Sequence, residues 1–159
     1  MQLETLSPRS PLASRSMFDI AAEAKEIMTF SQKLILLVED DEESQELVIL
    51  TLNNYKLVTA FNFVDGLYQA QQQIFDLYIL DNWLPDGAGV ELCRRIREFD
   101  LKTPILFYSA AGYKSDTQEA IKAGAQEYLI KPVDPEDLKQ IVMKLIFQDT
   151  KDGKIYSYD

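Results

Sequence analysis

The chain has 159 residues, of which 47% are apolar and 26% charged, and this fits one folded domain with extensions. Because it contains no apolar run of membrane-spanning length and no secretory signal, we expect a cytoplasmic protein without a membrane partner. Its net charge of −10 would repel phosphate backbones and argues against direct nucleic-acid binding. Histidine is absent and Cys93 is the one cysteine, which excludes His-dependent triads, CxxC redox chemistry and thiolate or imidazole zinc sites, and leaves only hard metal ions bound through oxygen.

Residues 1–32 are predicted to be an N-terminal extension. Residues 1–16 contain prolines and serines with little apolar periodicity, a composition typical of a flexible segment. Ser16 and Asp19 have the spacing of a capping box, and the apolar residues that follow share one helical face. We therefore predict an amphipathic helix over 17–28, which could dock on the domain or bind a partner helix.

From Leu34 onward, short apolar runs alternate with longer stretches of helical periodicity, which is typical of repeated strand and helix units. Several runs are almost wholly apolar, as expected of strands covered by helices on both faces. We predict five strands, at Leu34 to Val38, Leu57 to Phe61, Leu77 to Leu80, Ile105 to Tyr108 and Glu127 to Ile130. Residues 33–147 are thus predicted to form an α/β domain with a doubly wound, five-stranded parallel sheet, and its sites should lie beyond the carboxyl ends of the strands.

Each predicted strand is followed by a predicted helix. Gly124 should end the fourth helix, while Asp134 and Pro135 suit the N-cap and first position of the last. Residues 148–159 are predicted to be a C-terminal tail. The helices are expected from about Glu43 to Asn53 with Leu47 and Leu50 on the apolar stripe, from about Val64 to Gln73, through Leu92, Ile96 and Phe99, from Ser115 to Ala123, and after Asp134.

Polar residues follow four of the predicted strands. Taken singly, each has an ordinary explanation as a cap, a turn or a solvated charge. Their recurrence at successive strand ends, which meet at one edge of a parallel sheet, instead indicates a site. The residues are Glu39, Asp40 and Asp41 after the first strand, Asp81 after the third, Ser109 after the fourth and Lys131 after the fifth.

This set of side chains suits phosphoryl chemistry. Carboxylates about 4 Å apart repel each other by roughly 4 kcal/mol at an effective dielectric near 20, so the cluster favours a bound cation such as Mg²⁺. Asp81 could then act as a nucleophile toward phosphorus. Lys131 would offset the charge of the phosphoryl oxygens, and the Ser109 hydroxyl could donate a hydrogen bond to one of them.

Four segments closely resemble the receiver domain of two-component response regulators. They are LILLVEDDEE at 34–43, LYILDNWLPDGAGVEL at 77–92, PILFYSA at 104–110 and AIKAGAQEYLIKP at 120–132. The resemblance covers about Lys33 to Phe147 and implies a flavodoxin-like sheet in the order 2-1-3-4-5. It also implies a stand-alone receiver that is a phosphoacceptor rather than an enzyme, although it assists its own phosphorylation and dephosphorylation.

The resemblance further implies a role for each site residue. Asp81 would be the phosphoacceptor, and Lys131 would precede a cis peptide bond to Pro132. Ser109 would move toward the phosphoryl group, and Tyr128 would turn inward behind it, so that the face of the fourth helix, fifth strand and fifth helix changes. The ligands of Mg²⁺ would be Asp40, Asp81, Glu39 through water, and the backbone carbonyl of Trp83.

The implied phosphodonor is a sensor histidine kinase or a histidine phosphotransfer protein, and the implied receiver of the signal is a downstream protein of unknown identity or a second copy of the chain. Two alternatives stay open. The chain could be an interaction module that keeps the receiver fold and ignores phosphate. It could also be an aspartate-nucleophile phosphatase of the haloacid dehalogenase type, although that family normally has a second aspartate where this chain has Trp83.

Overall fold

The computed structural model describes residues 15–148, and within them five parallel strands form one sheet. The sheet strands run in the order β2-β1-β3-β6-β7, which confirms the predicted flavodoxin-like arrangement. A separate antiparallel pair consists of two short strands, β4 and β5. The seven strands are β1 (Leu34–Val38), β2 (Lys56–Ala60), β3 (Leu77–Leu80), β4 (Trp83–Leu84), β5 (Gly87–Ala88), β6 (Ile105–Ser109) and β7 (Glu127–Ile130).

Helices cover both faces of the sheet. The described residues form six of them: α1 (Met17–Ser31), α2 (Glu42–Thr51), α3 (Phe63–Gln72), α4 (Gly89–Arg97), α5 (Lys114–Ala123) and α6 (Pro135–Phe147). Residues of α3, α4 and α5 join one hydrophobic core, and residues of α2 and α6 join the other. The two cores fix the sheet between two helical layers.

The alternation of side chains along β1 explains why its sequence needs both layers. Ile35 and Leu37 belong to the core under α2 and α6, whereas Leu36 and Val38 belong to the opposite core. All four are at most 1% exposed. A strand that is apolar at every position therefore buries both of its faces, as expected for the centre of a parallel sheet.

The strand predictions are close to the observed bounds. β1, β3 and β7 match residue for residue, and β6 extends one residue further to include Ser109. β2 begins and ends one residue before the prediction, so Phe61 lies beyond it and is exposed. The β4–β5 hairpin was not predicted, because two-residue strands are too short to show periodicity.

The apolar stripe predicted for α2 is wrong. Leu47 and Leu50 are 44% and 65% exposed, and the buried face carries Gln45, Val48 and Thr51 instead. Gln45 can be buried because its amide donates a 2.8 Å hydrogen bond to the Glu39 carbonyl at the end of β1. A satisfied polar side chain therefore takes a core position that the pattern assigned to leucines.

The helix predicted through Leu92, Ile96 and Phe99 also needs a correction. Leu92 and Ile96 are fully buried in α4, but the helix ends at Arg97 and Phe99 is 46% exposed. α5 ends at Gly124 in the left-handed conformation, with φ 110°, and Asp134 caps α6.

α1 is exposed to solvent along most of its length. The Ser16–Asp19 capping box begins it, and residues 15–29 are all exposed. Its C-terminal end packs through Phe30, whose ring contacts those of Tyr55 and Phe147 edge-on. The predictions for residues 1–14 and for the tail beyond Gln148 lie outside the described residues. Across residues 15–148, no helix combines the length and apolar character that crossing a membrane requires.

Candidate functional site

The polar strand ends predicted to share one site lie together at the carboxyl edge of the sheet. Carboxylate oxygens of Glu39, Asp40 and Asp81 all lie within 4.8 Å of one another. Ser109 ends β6 beside them, and Lys131 follows β7. The parallel strands explain this convergence, because residues that are far apart in sequence leave the sheet on the same side.

Asp81 occupies the centre of the site and is 8% exposed. Its backbone N–H donates to the Val38 carbonyl over 2.9 Å, which ties the residue to the end of β1. The Ser109 hydroxyl donates to Asp81 Oδ1 over 2.5 Å, and the Trp83 backbone N–H donates to the same oxygen over 3.3 Å. The carboxylate is therefore oriented from one side while Oδ2 faces Lys131.

Lys131 lies between two of the carboxylates. Its Nζ is 2.5 Å from Glu39 Oε2 and 3.6 Å from Asp81 Oδ2, and the Lys131–Pro132 peptide bond is cis, as the resemblance implies. Burial opposes the charged ammonium, but the hydrogen bond to Glu39 and the charge of Asp81 outweigh it. The pKa of Lys131 therefore lies above its ordinary value, and the side chain is a cation at neutral pH.

Glu39 is the most deeply buried acid of the site, with 1% of its surface exposed. Burial raises the pKa of Glu39, although the hydrogen bond from Lys131 acts in the opposite direction. Its Oε1 accepts from the Asp41 backbone N–H over 3.1 Å. Both oxygens of Glu39 thus have donors, one of them charged.

Three carboxylates that offer oxygens within so short a span suit a hard divalent cation. Asp40 is exposed and brings its carboxylate to the cluster from the solvent side. Asp41 does not take part, because its side chain caps α2 by accepting from the Ser44 backbone N–H over 2.7 Å. The acidic set of Glu39, Asp40 and Asp81 therefore fits Mg²⁺.

Tyr128 lies behind Ser109 with its ring turned inward. It is 8% exposed and stacks on Phe107 with ring centroids 5.5 Å apart. Its hydroxyl donates to the Ala111 carbonyl over 2.7 Å, and the Ala111 N–H donates to Ser109 Oγ over 3.3 Å. Burial raises the pKa of Tyr128, so its hydroxyl remains a donor at neutral pH. A short chain of hydrogen bonds therefore connects Asp81, Ser109, Ala111 and Tyr128.

Two residues next to the site, Asn82 and Gly89, were missed by sequence reasoning. Asn82 is a buried polar residue directly after Asp81, and its position at a strand end was the signal available. Gly89 approaches the backbone of the site closely: a Cβ at this position would lie 2.0 Å from the Asp81 carbonyl oxygen. The loop after β3 can pass α4 here only because residue 89 has no side chain.

We expect Gly89→Ala to lower the free energy of unfolding by about 2 kcal/mol, the usual cost of overpacking, because the added methyl group forces the Asp81 backbone to shift. Urea denaturation would measure the change. Gly112→Ala is the matched control, since its Cβ would come no closer than 3.4 Å to a neighbouring atom. Equal stability of the two variants would contradict the prediction.

Comparisons with known proteins agree with this geometry. Residues 35–143 match the family model of the response regulator receiver domain. The response regulator ArlR of Staphylococcus aureus is 39% identical over 109 residues, which are 65% of this chain and 48% of that protein. The chain therefore spans about half the length of the curated relatives it matches.

Solved structures show the same fold. A CheY-like receiver domain protein from Methanospirillum hungatei JF-1 superposes with a TM-score of 0.67 at 28% identity, over 72% of this chain and 94% of that one. A putative response regulator from Chloroflexus aurantiacus J-10-fl gives a TM-score of 0.68 at 32% identity, over 72% and 97% of the two chains. The chain belongs to the response regulator receiver family of two-component signalling.

Proposed function

We propose that this chain accepts a phosphoryl group on Asp81 from a sensor histidine kinase or a histidine phosphotransfer protein. The observation that carries the proposal is the contact made by each Asp81 oxygen: Ser109 Oγ lies 2.5 Å from Oδ1, and Lys131 Nζ lies 3.6 Å from Oδ2. A hydroxyl donor and an ammonium beside a carboxylate nucleophile are groups that favour phosphoryl transfer.

In the proposed reaction, an Asp81 oxygen attacks the phosphorus of the donor phosphohistidine. A P–O bond forms as the P–N bond breaks, and the imidazole of the donor leaves. Lys131, which pairs with Glu39 before the transfer, can turn toward the new phosphoryl oxygens, and the Ser109 hydroxyl can donate to one of them. Water later attacks the phosphorus, the bond between phosphorus and the Asp81 oxygen breaks, and inorganic phosphate leaves, which restores the carboxylate.

The ion proposed for this site is Mg²⁺, which when bound would offset negative charge on the phosphoryl oxygens. We assign Asp40 and Asp81 as its direct ligands, Glu39 as a ligand through water and the backbone carbonyl of Trp83 as the fourth protein contribution. The assignment is supported by the three carboxylates, whose oxygens lie close enough together to bind one ion.

We also propose that Ser109 and Tyr128 transmit the change. When the Ser109 hydroxyl leaves Asp81 for a phosphoryl oxygen, the Ala111 N–H bonded to it and the Tyr128 hydroxyl bonded to the Ala111 carbonyl must adjust. The change would be read on the face formed by α5, β7 and α6 by a downstream protein or a second copy of the chain.

Intact mass spectrometry after incubation with acetyl phosphate and Mg²⁺ tests the proposal. We expect the mass to rise by one phosphoryl group, and we expect EDTA to prevent the gain. An interaction module that ignores phosphate would gain no mass. A phosphatase would instead turn over a small ester such as p-nitrophenyl phosphate, and steady turnover would replace our proposal with that alternative.

We expect Tyr128→Phe to leave Asp81 phosphorylation near the wild-type rate while it weakens the response of the α5–β7–α6 face. The variant removes the hydroxyl that donates to the Ala111 carbonyl. Ala111 is only 3% exposed, so its carbonyl loses its donor in a buried environment. Hydrogen exchange of β7 and α5, measured with and without beryllofluoride, would report the response. Tyr113→Phe is the control because Tyr113 is 76% exposed, and an unchanged response in Tyr128→Phe would remove this residue from the switch.

A further inference from the structure

The first turn of α4 obtains its cap from outside the helix. Ala88 is at the N-cap position with the extended backbone of a capping residue, but it has no side chain that could accept a hydrogen bond. A helix begins with backbone N–H groups that lack intrahelical partners, and a side-chain oxygen usually satisfies one of them. Here the Val90 N–H donates to Asn82 Oδ1 over 3.1 Å, six residues before the N-cap.

Asn82 makes two more hydrogen bonds through its backbone. Its carbonyl accepts from the Gly89 N–H over 2.8 Å, and its N–H donates to Ser109 Oγ over 3.4 Å. The residue is only 9% exposed, and every backbone hydrogen bond it makes joins it to the site or to the start of α4. Asn82 therefore closes the loop that leaves β3 and returns to α4.

The segment closed in this way includes Trp83. Within it, Trp83 pairs with Ala88 in the β4–β5 hairpin, and the Trp83 N–H donates to Asp81 Oδ1. The position of the Trp83 backbone is thus fixed from both ends of the segment. Loss of the Asn82 side chain would release the α4 end and leave the buried Val90 N–H without its acceptor.

We propose that Asn82 is a positioning residue for the metal site, because its side chain fixes the segment that presents the Trp83 carbonyl to the cation. This inference rests on the proposed function, in which that carbonyl is a ligand of Mg²⁺. Outer-shell groups of this kind orient metal ligands by restricting their backbone or side chain. A simple helix cap would stabilise α4 without affecting the cation.

A second substitution separates positioning from capping. Ala88 is exposed and already has the extended backbone of an N-cap residue, with φ −89° and ψ 138°. A serine at this position can cap α4 locally, so Ala88→Ser supplies the stabilisation that Asn82→Ala removes. The decisive pair is Ala88→Ser and the double variant Asn82→Ala/Ala88→Ser, in which folding does not depend on the Asn82 side chain.

The measurement is equilibrium Mg²⁺ binding by calorimetry and by fluorescence of Trp83, the only tryptophan in the chain. We expect the double variant to unfold at the same urea concentration as wild type but to bind Mg²⁺ about tenfold more weakly, the usual effect of losing an outer-shell group. Equal Mg²⁺ affinity in the double variant and in Ala88→Ser would overturn the inference and leave Asn82 as a cap. If wild type bound no Mg²⁺, the proposed function would fail, and this inference with it.

Discussion

Asp81→Asn is expected to gain no phosphoryl group from acetyl phosphate and Mg²⁺ under conditions that fully modify the wild-type chain. The amide nitrogen and oxygen of asparagine are poor nucleophiles toward phosphorus, whereas the Asp81 carboxylate is buried beside a hydroxyl and an ammonium that can offset the developing charge. Intact mass spectrometry measures the result directly.

The matched control for this substitution is Asp137→Asn, which makes the same chemical change at an exposed position in the first turn of α6. We expect this variant to be modified as fully as wild type. If Asp81→Asn gained the same mass, the acceptor would have to be another acid, and Asp40, whose carboxylate lies in the same cluster, would be the first to examine.

Asp81→Asn should also show how much the stability of the carboxylate cluster depends on the cation. In the proposed function, Mg²⁺ binds the folded wild-type chain, and it should then raise the free energy of unfolding in proportion to the logarithm of its concentration above the dissociation constant. Asp81→Asn removes one ligand and one negative charge from the cluster. We therefore expect EDTA to lower the free energy of unfolding of Asp81→Asn less than that of wild type. Removal of the cation restores less repulsion when one carboxylate is already missing.

Most of the fold could be predicted from the sequence, because its strands are short and several of them are almost wholly apolar. A run such as Leu34 to Val38 has one stable environment, the middle of a sheet covered on both faces, and the observed bounds of β1 agree with that expectation. The positions of the site acids followed from the same reasoning, since strand ends converge in a parallel sheet.

The errors occur where tertiary contacts decide between similar local patterns. On α2, leucines at 47 and 50 and a valine at 48 mark competing faces, and the buried amide of Gln45 turns the face with Val48 inward. Sequence periodicity cannot register such a hydrogen bond, because its acceptor is a carbonyl on a different element.

The site was incomplete in the sequence for a similar reason. The Asn82 side chain accepts from the backbone of α4, and Gly89 lets that backbone approach Asp81 closely, and the residue types alone do not reveal either contact. The pairing of Lys131 with Glu39 was also not expected, since the resemblance placed Lys131 only toward the phosphoryl group. Both features depend on distances that exist only after the strands have assembled.

Lys131→Met is expected to separate metal binding from phosphoryl transfer. The ammonium lies within 3.6 Å of Asp81 and bonds Glu39, so its removal takes a positive charge away from the place where a cation would bind. Mg²⁺ affinity should therefore be equal to or greater than that of wild type. The rate of phosphorylation by acetyl phosphate should fall about 10²-fold, because a donor that stabilises the transition-state charge is lost.

Two further variants complete the test of Lys131. Lys139→Met makes the same change at an exposed position of α6 and should leave both quantities unchanged. Lys131→Arg keeps the charge but has a larger, planar head group, so we expect it to bind Mg²⁺ like wild type and to recover only part of the rate. A loss of Mg²⁺ affinity in Lys131→Met would contradict this prediction. It would mean that Lys131 holds the acids in place, through its contact with Glu39, rather than competing with the cation.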